Sequence, residues 1–186
     1  TGLHAQWSAW AKETTEDSER EAGERTARGL TRAHAVTDRG LRQVAPRFSP
    51  DGAWVAYTSG TLTRFPEIRL ARADGTEDRR LALRRSGSGI AWTPDGKTLV
   101  YGELQVHRTF SVFGDLSLVD VATGNVRRLT RGMRAYDPDV SPDGRTVVFA
   151  RKTGDRSELF TVGLDGEALT PLTASVEGVE WSGPRW

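Results

Sequence analysis

Apolar residues along this chain fall into short runs that return at long intervals. Ala53-Trp54-Val55-Ala56-Tyr57, Lys97-Thr98-Leu99-Val100-Tyr101 and Arg145-Thr146-Val147-Val148-Phe149 align without a gap, each apolar through its centre on both faces. β-Branched and aromatic residues dominate them, which predicts strands buried between two layers. Ahead of each lies a shorter strand ending in a large residue, Phe48, Trp92 or Val140. After each comes a third strand with an acidic head: Glu67-Ile68-Arg69-Leu70, Asp115-Leu116-Ser117-Leu118 and Glu158-Leu159-Phe160-Thr161. Asp74-Gly75, Thr123-Gly124-Asn125 and Asp165-Gly166 then supply tight-hairpin chemistry. Outer strands close the units through Arg79-Arg80-Leu81, Arg127-Arg128-Leu129-Thr130 and Thr170-Pro171-Leu172-Thr173.

Between the first and second strands of every unit stands one four-residue device: Ser49-Pro50-Asp51-Gly52, Thr93-Pro94-Asp95-Gly96 and Ser141-Pro142-Asp143-Gly144. Pro fixes the first corner, Asp bonds back to its own backbone, and Gly accepts a positive φ. The leading Ser or Thr holds the entry through a local hydrogen bond. The glycines are 44 and 48 residues apart, the period of a propeller blade. Four hairpin-linked strands at that period predict an all-β fold, a partial propeller of three four-stranded antiparallel blades. A β-sandwich is the main rival.

These units resemble the TolB-type propeller repeat, a relative of the Trp-Asp repeat marked by Phe/Trp-Ser-Pro-Asp-Gly before an apolar strand ending in Tyr or Phe. The resemblance covers about residues 43 to 174. It implies a fold more than a function. The same repeat occurs in the periplasmic protein of the Tol-Pal system, in propellers capping prolyl-oligopeptidase-type serine peptidases, and in bacterial proteins where a propeller follows a peptidase-like domain.

Residues 1–40 stand outside the repeat and 41–186 carry it, with blades at about 43–83, 87–130 and 135–174 and the start of a fourth at 176–186, where Trp181 takes the Phe48/Trp92/Val140 place. Leu3, Trp7 and Trp10 recur at helical spacing, predicting an N-terminal helix from about Leu3 into the twenties, with Gly23 weakening its second half. It is expected to dock Trp7 and Trp10 on a neighbour and to be laced by Glu16-Arg20, Glu21-Arg25 and Glu24-Arg28. A Trp-x-x-Trp helix entering a propeller is similar to the junction in peptidase-plus-propeller proteins, which implies a remnant of a preceding domain.

Three blades leave sheet faces and edges open. The chain is therefore expected to be a piece of a larger propeller or to pair with a second copy into a ring of about six blades, and to self-associate through its open edges. The first residue is Thr1, without a basic and apolar leader, which suits a removed signal peptide or a longer parent protein.

Composition narrows the functional classes. A net charge of +1, with 27% charged and 37% apolar residues, gives no sign of a disordered, nucleic-acid-coating or membrane-spanning chain. The absence of cysteine excludes disulfides and thiolate metal sites. No Gly-x-Ser-x-Gly elbow, His-Glu-x-x-His helix or phosphate-cradling loop is present, and His4, His34 and His107 lie far apart. No catalytic residue, cofactor or metal site is expected. The three turn aspartates recur in every blade and read as structural.

Two candidate sites remain. Asp137 and Asp139 flank Pro138 where the other blades carry Ala45/Arg47 and Gly89/Ala91, near the expected central channel. The insertion Glu103–Phe113 carries His107, Arg108 and Phe110 on a loop, where rigid scaffolds place binding residues; its plainer reading is a hairpin extension with Phe110 and Phe113 packed inward. The arginine clusters at 79–85 and 127–134 fall on outer strands and interblade turns, as edge protection and not nucleic-acid recognition. The function expected is a non-catalytic scaffold binding proteins or peptides, periplasmic or extracellular as the resemblance implies. The alternative is the gating propeller of a serine or metallopeptidase whose catalytic domain lies elsewhere.

Overall fold

The computed structural model describes residues 2–29, 35–38, 42–85, 87, 89–107, 110–174, 176 and 178–186. Backbone contacts divide the chain into two units, Thr1–Ala35 and Val36–Trp186. The first is the helix α1, Gly2–Ala27, which runs through Gly23 unbroken. Its ion pairs differ from expectation in one place. Arg20 meets Asp17 at 2.8 Å, while Glu16 faces Lys12 at 3.9 Å. Arg25–Glu21 and Arg28–Glu24 form as expected, at 3.4 and 4.0 Å. Trp7 and Trp10, expected to dock, are both exposed.

The second unit is three four-stranded antiparallel sheets, each a meander. The first holds β1 (Arg42–Phe48), β2 (Trp54–Gly60), β3 (Glu67–Arg72) and β4 (Arg79–Leu83). The second holds β5 (Ile90–Trp92), β6 (Thr98–His107), β7 (Ser111–Asp120) and β8 (Val126–Arg128). The third holds β9 (Ala135–Val140), β10 (Thr146–Thr153), β11 (Arg156–Gly163) and β12 (Thr170–Pro171). Every sheet is thus one copy of the sequence repeat, as in propeller blades.

Two apolar layers join the sheets. Ala56, Ile68, Leu70 and Leu81 of the first pack on Leu99, Tyr101 and Val119 of the second. Val100, Leu116, Leu118 and Leu129 of the second then pack on Val147, Phe149, Phe160 and Val162 of the third. The middle strands therefore need apolar residues on both faces, the pattern read from the sequence. Each fully buried Val, Leu, Ile or Phe contributes about 1.5–3 kcal/mol relative to exposure.

Polar staples add register. Arg79 Nη2 of the first sheet donates to Val121 O at 2.7 Å, and Arg127 Nη2 of the second donates to Leu164 O at 2.9 Å. Trp92 Nε1 donates back to Arg47 O at 3.0 Å. The hairpin glycines allow the sheets to close up. A Cβ at Gly124 would come 3.2 Å from Leu81 O and one at Gly166 3.3 Å from Leu129 O. At Gly75 the same place is taken by the Val36 carbonyl. Residues 36–37 thus cover the first sheet where an outer strand covers each of the others, and Thr37 Oγ1 meets Tyr57 OH at 3.0 Å.

Beyond these contacts the end faces are open: Phe48 is 61% exposed, although its counterpart Trp92 is tucked against the first sheet. Val179–Trp186, where a fourth blade was expected to open, forms no strand. It is held to the third blade by single hydrogen bonds. Trp181 N donates to Ser157 Oγ, Tyr136 OH donates to Trp181 O at 3.1 Å, and Trp186 N donates to Asp139 Oδ2 at 3.0 Å.

Candidate functional site

The turn aspartates are occupied by their own backbone. Asp51 Oδ1 accepts from Ser49 Oγ at 2.5 Å and Ala53 N at 3.1 Å. Asp95 accepts from Thr93 Oγ1 and Lys97 N at 2.7 and 3.0 Å, and Asp143 from Ser141 Oγ and Arg145 N at 2.6 and 3.0 Å. The hydroxyls in turn accept from Trp54 N, Thr98 N and Thr146 N at 2.9, 3.0 and 3.0 Å. These side-chain bonds, then the backbone N–H bonds, hold all three carboxyls below the usual aspartate range. Gly52, Gly96 and Gly144 sit at φ 71°, 68° and 71°. Neighbouring turns also abut, since a Cβ at Gly96 would lie 3.9 Å from Pro50 and one at Gly144 3.4 Å from Pro94. One rim of the unit is therefore built of spent turn chemistry.

Along the innermost strands a second device repeats. Ala45, Gly89 and Asp137 each precede their turn glycine by seven residues and each has positive φ, 54°, 74° and 50°. The ladder shifts register around Ala45 and Asp137, so these are bulges, which re-aim side chains. Gly89 sits against Asp137: a Cβ there would lie 2.7 Å from Asp137 Cα. Asp137 and Asp139 are both partly buried. Asp139 Oδ2 accepts from Trp186 N at 3.0 Å.

The opposite rim carries the connections between second and third strands, and here the blades differ. The β6–β7 pair continues without a slip to His107↔Ser111. It is the predicted hairpin extension, but Phe110 is not packed inward; it stands at the tip, 95% exposed. A tip residue has no second layer to cover it. Phe113 is partly buried, with the His107 ring 6.0 Å away and the Arg134 guanidinium 4.3 Å above it. Arg108 lies outside the described residues. Loop 60–66 of the first blade adds Leu62 and Phe65, 91% and 71% exposed. They border a cleft of about 910 Å³ with Arg64, Arg80 and Leu83. The sequence marks residues 60–66 as a connection between strands without singling out Leu62 and Phe65, two large apolar residues in a segment otherwise built as a turn. The third blade's tip, Thr153-Gly154-Asp155-Arg156, is polar.

Arginine chemistry was the other omission. Arg84, from the stretch read as edge protection, is 1% exposed. Its Nε donates to Gly102 O at 2.8 Å, Nη1 to Thr58 Oγ1 at 2.6 Å and Nη2 to Gly89 O at 3.1 Å. Burial without a paired carboxylate pulls its pKa down to about 10, partly offset by Tyr101, Glu103 and Asp137. Tyr101 OH beside it has no hydrogen-bond partner among the described residues. Also among the described residues, no group of three or more His, Cys, Asp or Glu could hold a metal, and no helix is long and apolar enough to cross a membrane.

The family model for the PD40 TolB beta propeller domain matches residues 24–186. A relative from Agrobacterium fabrum, itself uncharacterized, is 29% identical over 134 residues, 72% of this chain and 44% of the relative. The Tol-Pal system protein TolB of Thiobacillus denitrificans is 38% identical over 69 residues, 37% of this chain and 16% of its own length. Among solved structures, a TolB-assigned protein from Agrobacterium tumefaciens superposes with TM-score 0.66 at 27% identity, covering 75% of this chain and 49% of that one. Tricorn protease superposes at TM-score 0.55 and 15% identity over 69% of this chain and 14% of its own, a likeness of fold alone. The chain thus spans less than half the length of these proteins.

Proposed function

The chain belongs to the PD40 TolB beta propeller family, and from that premise we propose that it is a non-catalytic scaffold that binds protein or peptide partners at the bacterial cell envelope. The observation that carries this reading is the contrast between the two rims. On one, the carboxylates of Asp51, Asp95 and Asp143 are each committed to their own turn. On the other, Leu62 and Phe65 of loop 60–66 and Phe110 at the β6–β7 tip stand exposed, and large exposed apolar side chains mark interaction surfaces. The envelope location rests on the likeness to TolB of the Tol-Pal system. The helix Gly2–Ala27 we take as a remnant of a preceding domain, whereas residues 36–37 belong with the first blade.

The test is photo-crosslinking in bacteria expressing the protein, with p-benzoyl-phenylalanine in place of Phe65 or Phe110 and, as control, of Lys97 on the turn rim. Discrete crosslinked bands from the first two positions and none from the third are expected. Crosslinks from Lys97 alone, or from none of the three, refute the reading.

A further inference from the structure

The extended β6–β7 ribbon has two unlike faces. On one, Gln105 donates Nε2 to Glu103, Arg128 donates to Gln105 Oε1, and Phe113 meets the tilted His107 ring and the Arg134 guanidinium. On that face Glu103 and Gln105 are committed to their own blade, while the Arg134 guanidinium reaches Phe113 at the edge of the ribbon. On the other, Leu104 stands opposite Gly114 and Val106 opposite Val112. Leu104, Val106 and Val112 are all exposed, an apolar stripe leading from the tip toward the sheet. At its base a cleft of about 330 Å³ opens between the second and third blades.

The chemistry of the cleft is lopsided. Leu104, Val112 and Phe113 give it apolar lining, and Tyr136, Arg134 and Lys152 line it with them. Gly87, Gly102, Gly114 and Gly154 line the rest, so much of its surface is bare backbone. The blades nearly touch beneath it: a Cβ at Gly114 would lie 2.8 Å from Ala135 O. Among the described residues its only lining carboxylate, Glu103, is buried and already accepts from Gln105 and from Ser117 Oγ at 2.7 Å. Lys152 meets the exposed Glu180 at 3.6 Å. Arg134 has no carboxylate in ion-pair reach among the described residues, yet its guanidinium is held in place by stacking on Phe113 and its backbone holds φ 54°. Strained non-glycine backbone persists where the surroundings over-determine it.

We propose that this cleft seats an extended peptide segment of a partner protein, an apolar side chain against Leu104 and Val112 and a carboxylate on Arg134. The bare glycine backbone suits an extended main chain, and the unpaired guanidinium selects an acidic neighbour to the apolar anchor by charge complementarity. This rests on the binding-scaffold reading and narrows it to one cleft and one ligand chemistry.

Random short peptides displayed on phage are panned on the immobilised 186-residue chain, and enriched peptides are measured by fluorescence anisotropy. They are expected to carry Asp or Glu beside a large apolar residue, and to lose binding by about tenfold or more on Arg134→Glu and on Val112→Asp. Far-UV circular dichroism and urea unfolding establish that each variant is folded; Lys152→Glu, on an exposed side chain, is a second charge reversal that should weaken the same peptides. Enriched peptides without acidic residues, binding unchanged in folded Arg134→Glu and Lys152→Glu, or no enrichment overturns the cleft. Peptides that ignore Arg134 but are lost on Phe110→Ser overturn the cleft while leaving the scaffold reading intact.

Discussion

Arg84 leaves the last strand of the first blade and ends in the second, donating Nε to Gly102 O at 2.8 Å across the junction. With Thr58 Oγ1 and Gly89 O as its other acceptors, one fully buried guanidinium ties two blades and three backbone or hydroxyl groups together. Replacing it strands those acceptors away from water. Arg84→Ala is expected to cost about 3 kcal/mol or more in urea unfolding. Arg84→Lys should fall between, because a single ammonium cannot reproduce the planar fork. A loss below about 0.5 kcal/mol for Arg84→Ala would contradict the assigned role.

Tyr57 and Tyr101 hold the same place in successive blades but differ in partner. Tyr57 OH meets Thr37 Oγ1, whereas Tyr101 OH is buried without one among the described residues. Opposite signs follow. Tyr57→Phe should destabilise by about 1 kcal/mol, and Tyr101→Phe should stabilise by a similar amount, since it removes an unsatisfied hydroxyl. Chemical denaturation of both variants checks this; equal effects of the same sign would be wrong for the account.

Glycines with left-handed backbone divide by what surrounds them. Gly52 (φ 71°) has no atom within 4 Å of a Cβ, so Gly52→Ala meets only backbone strain, about 1–2 kcal/mol. At Gly89 (φ 74°) a Cβ would lie 2.7 Å from Asp137 Cα and 2.8 Å from Pro138 Cδ. Gly89→Ala adds that overlap to the strain and should cost about 3 kcal/mol or more. Thermal unfolding separates the two cases.

The turn aspartates set an acid limit. Their carboxyls titrate below the ordinary value in the fold. Their contribution is therefore complete above about pH 4, the unfolded value, and is lost as pH falls through the lower folded one. Stability measured against pH should drop on acidification below that point. Replacing Asp51, Asp95 and Asp143 together with Asn should flatten this drop; an unchanged slope would mean the turns do not carry it.

Much of the fold was legible because the repeat states each element three times. The Ser/Thr-Pro-Asp-Gly turns, the doubly apolar second strands and the glycine hairpins at Gly75, Gly124 and Gly166 all stand where periodicity placed them. What stayed hidden concerns pairs of sheets. Arg79 and Arg127 look like solvated edge charges in one dimension, and only stacking of blades brings Val121 O and Leu164 O within reach. Arg84 reads the same way as its neighbour Arg85, yet one is buried and the other exposed. Phe110 was expected inward from its apolar character, but a hairpin tip offers nothing to pack on. The sequence places Asp137 and Asp139 on either side of Pro138 but shows neither the bulge at Asp137 nor the contact of Asp139 with Trp186 N.

Hydrogen exchange of the full chain with and without an enriched peptide tests the functional account most directly. Slowed exchange is expected over residues 103–107, 110–114, 134–136 and 152–154, with the turns at 49–54, 93–98 and 141–146 unchanged. Protection centred on those turns, with the β6–β7 ribbon unaffected, would contradict it.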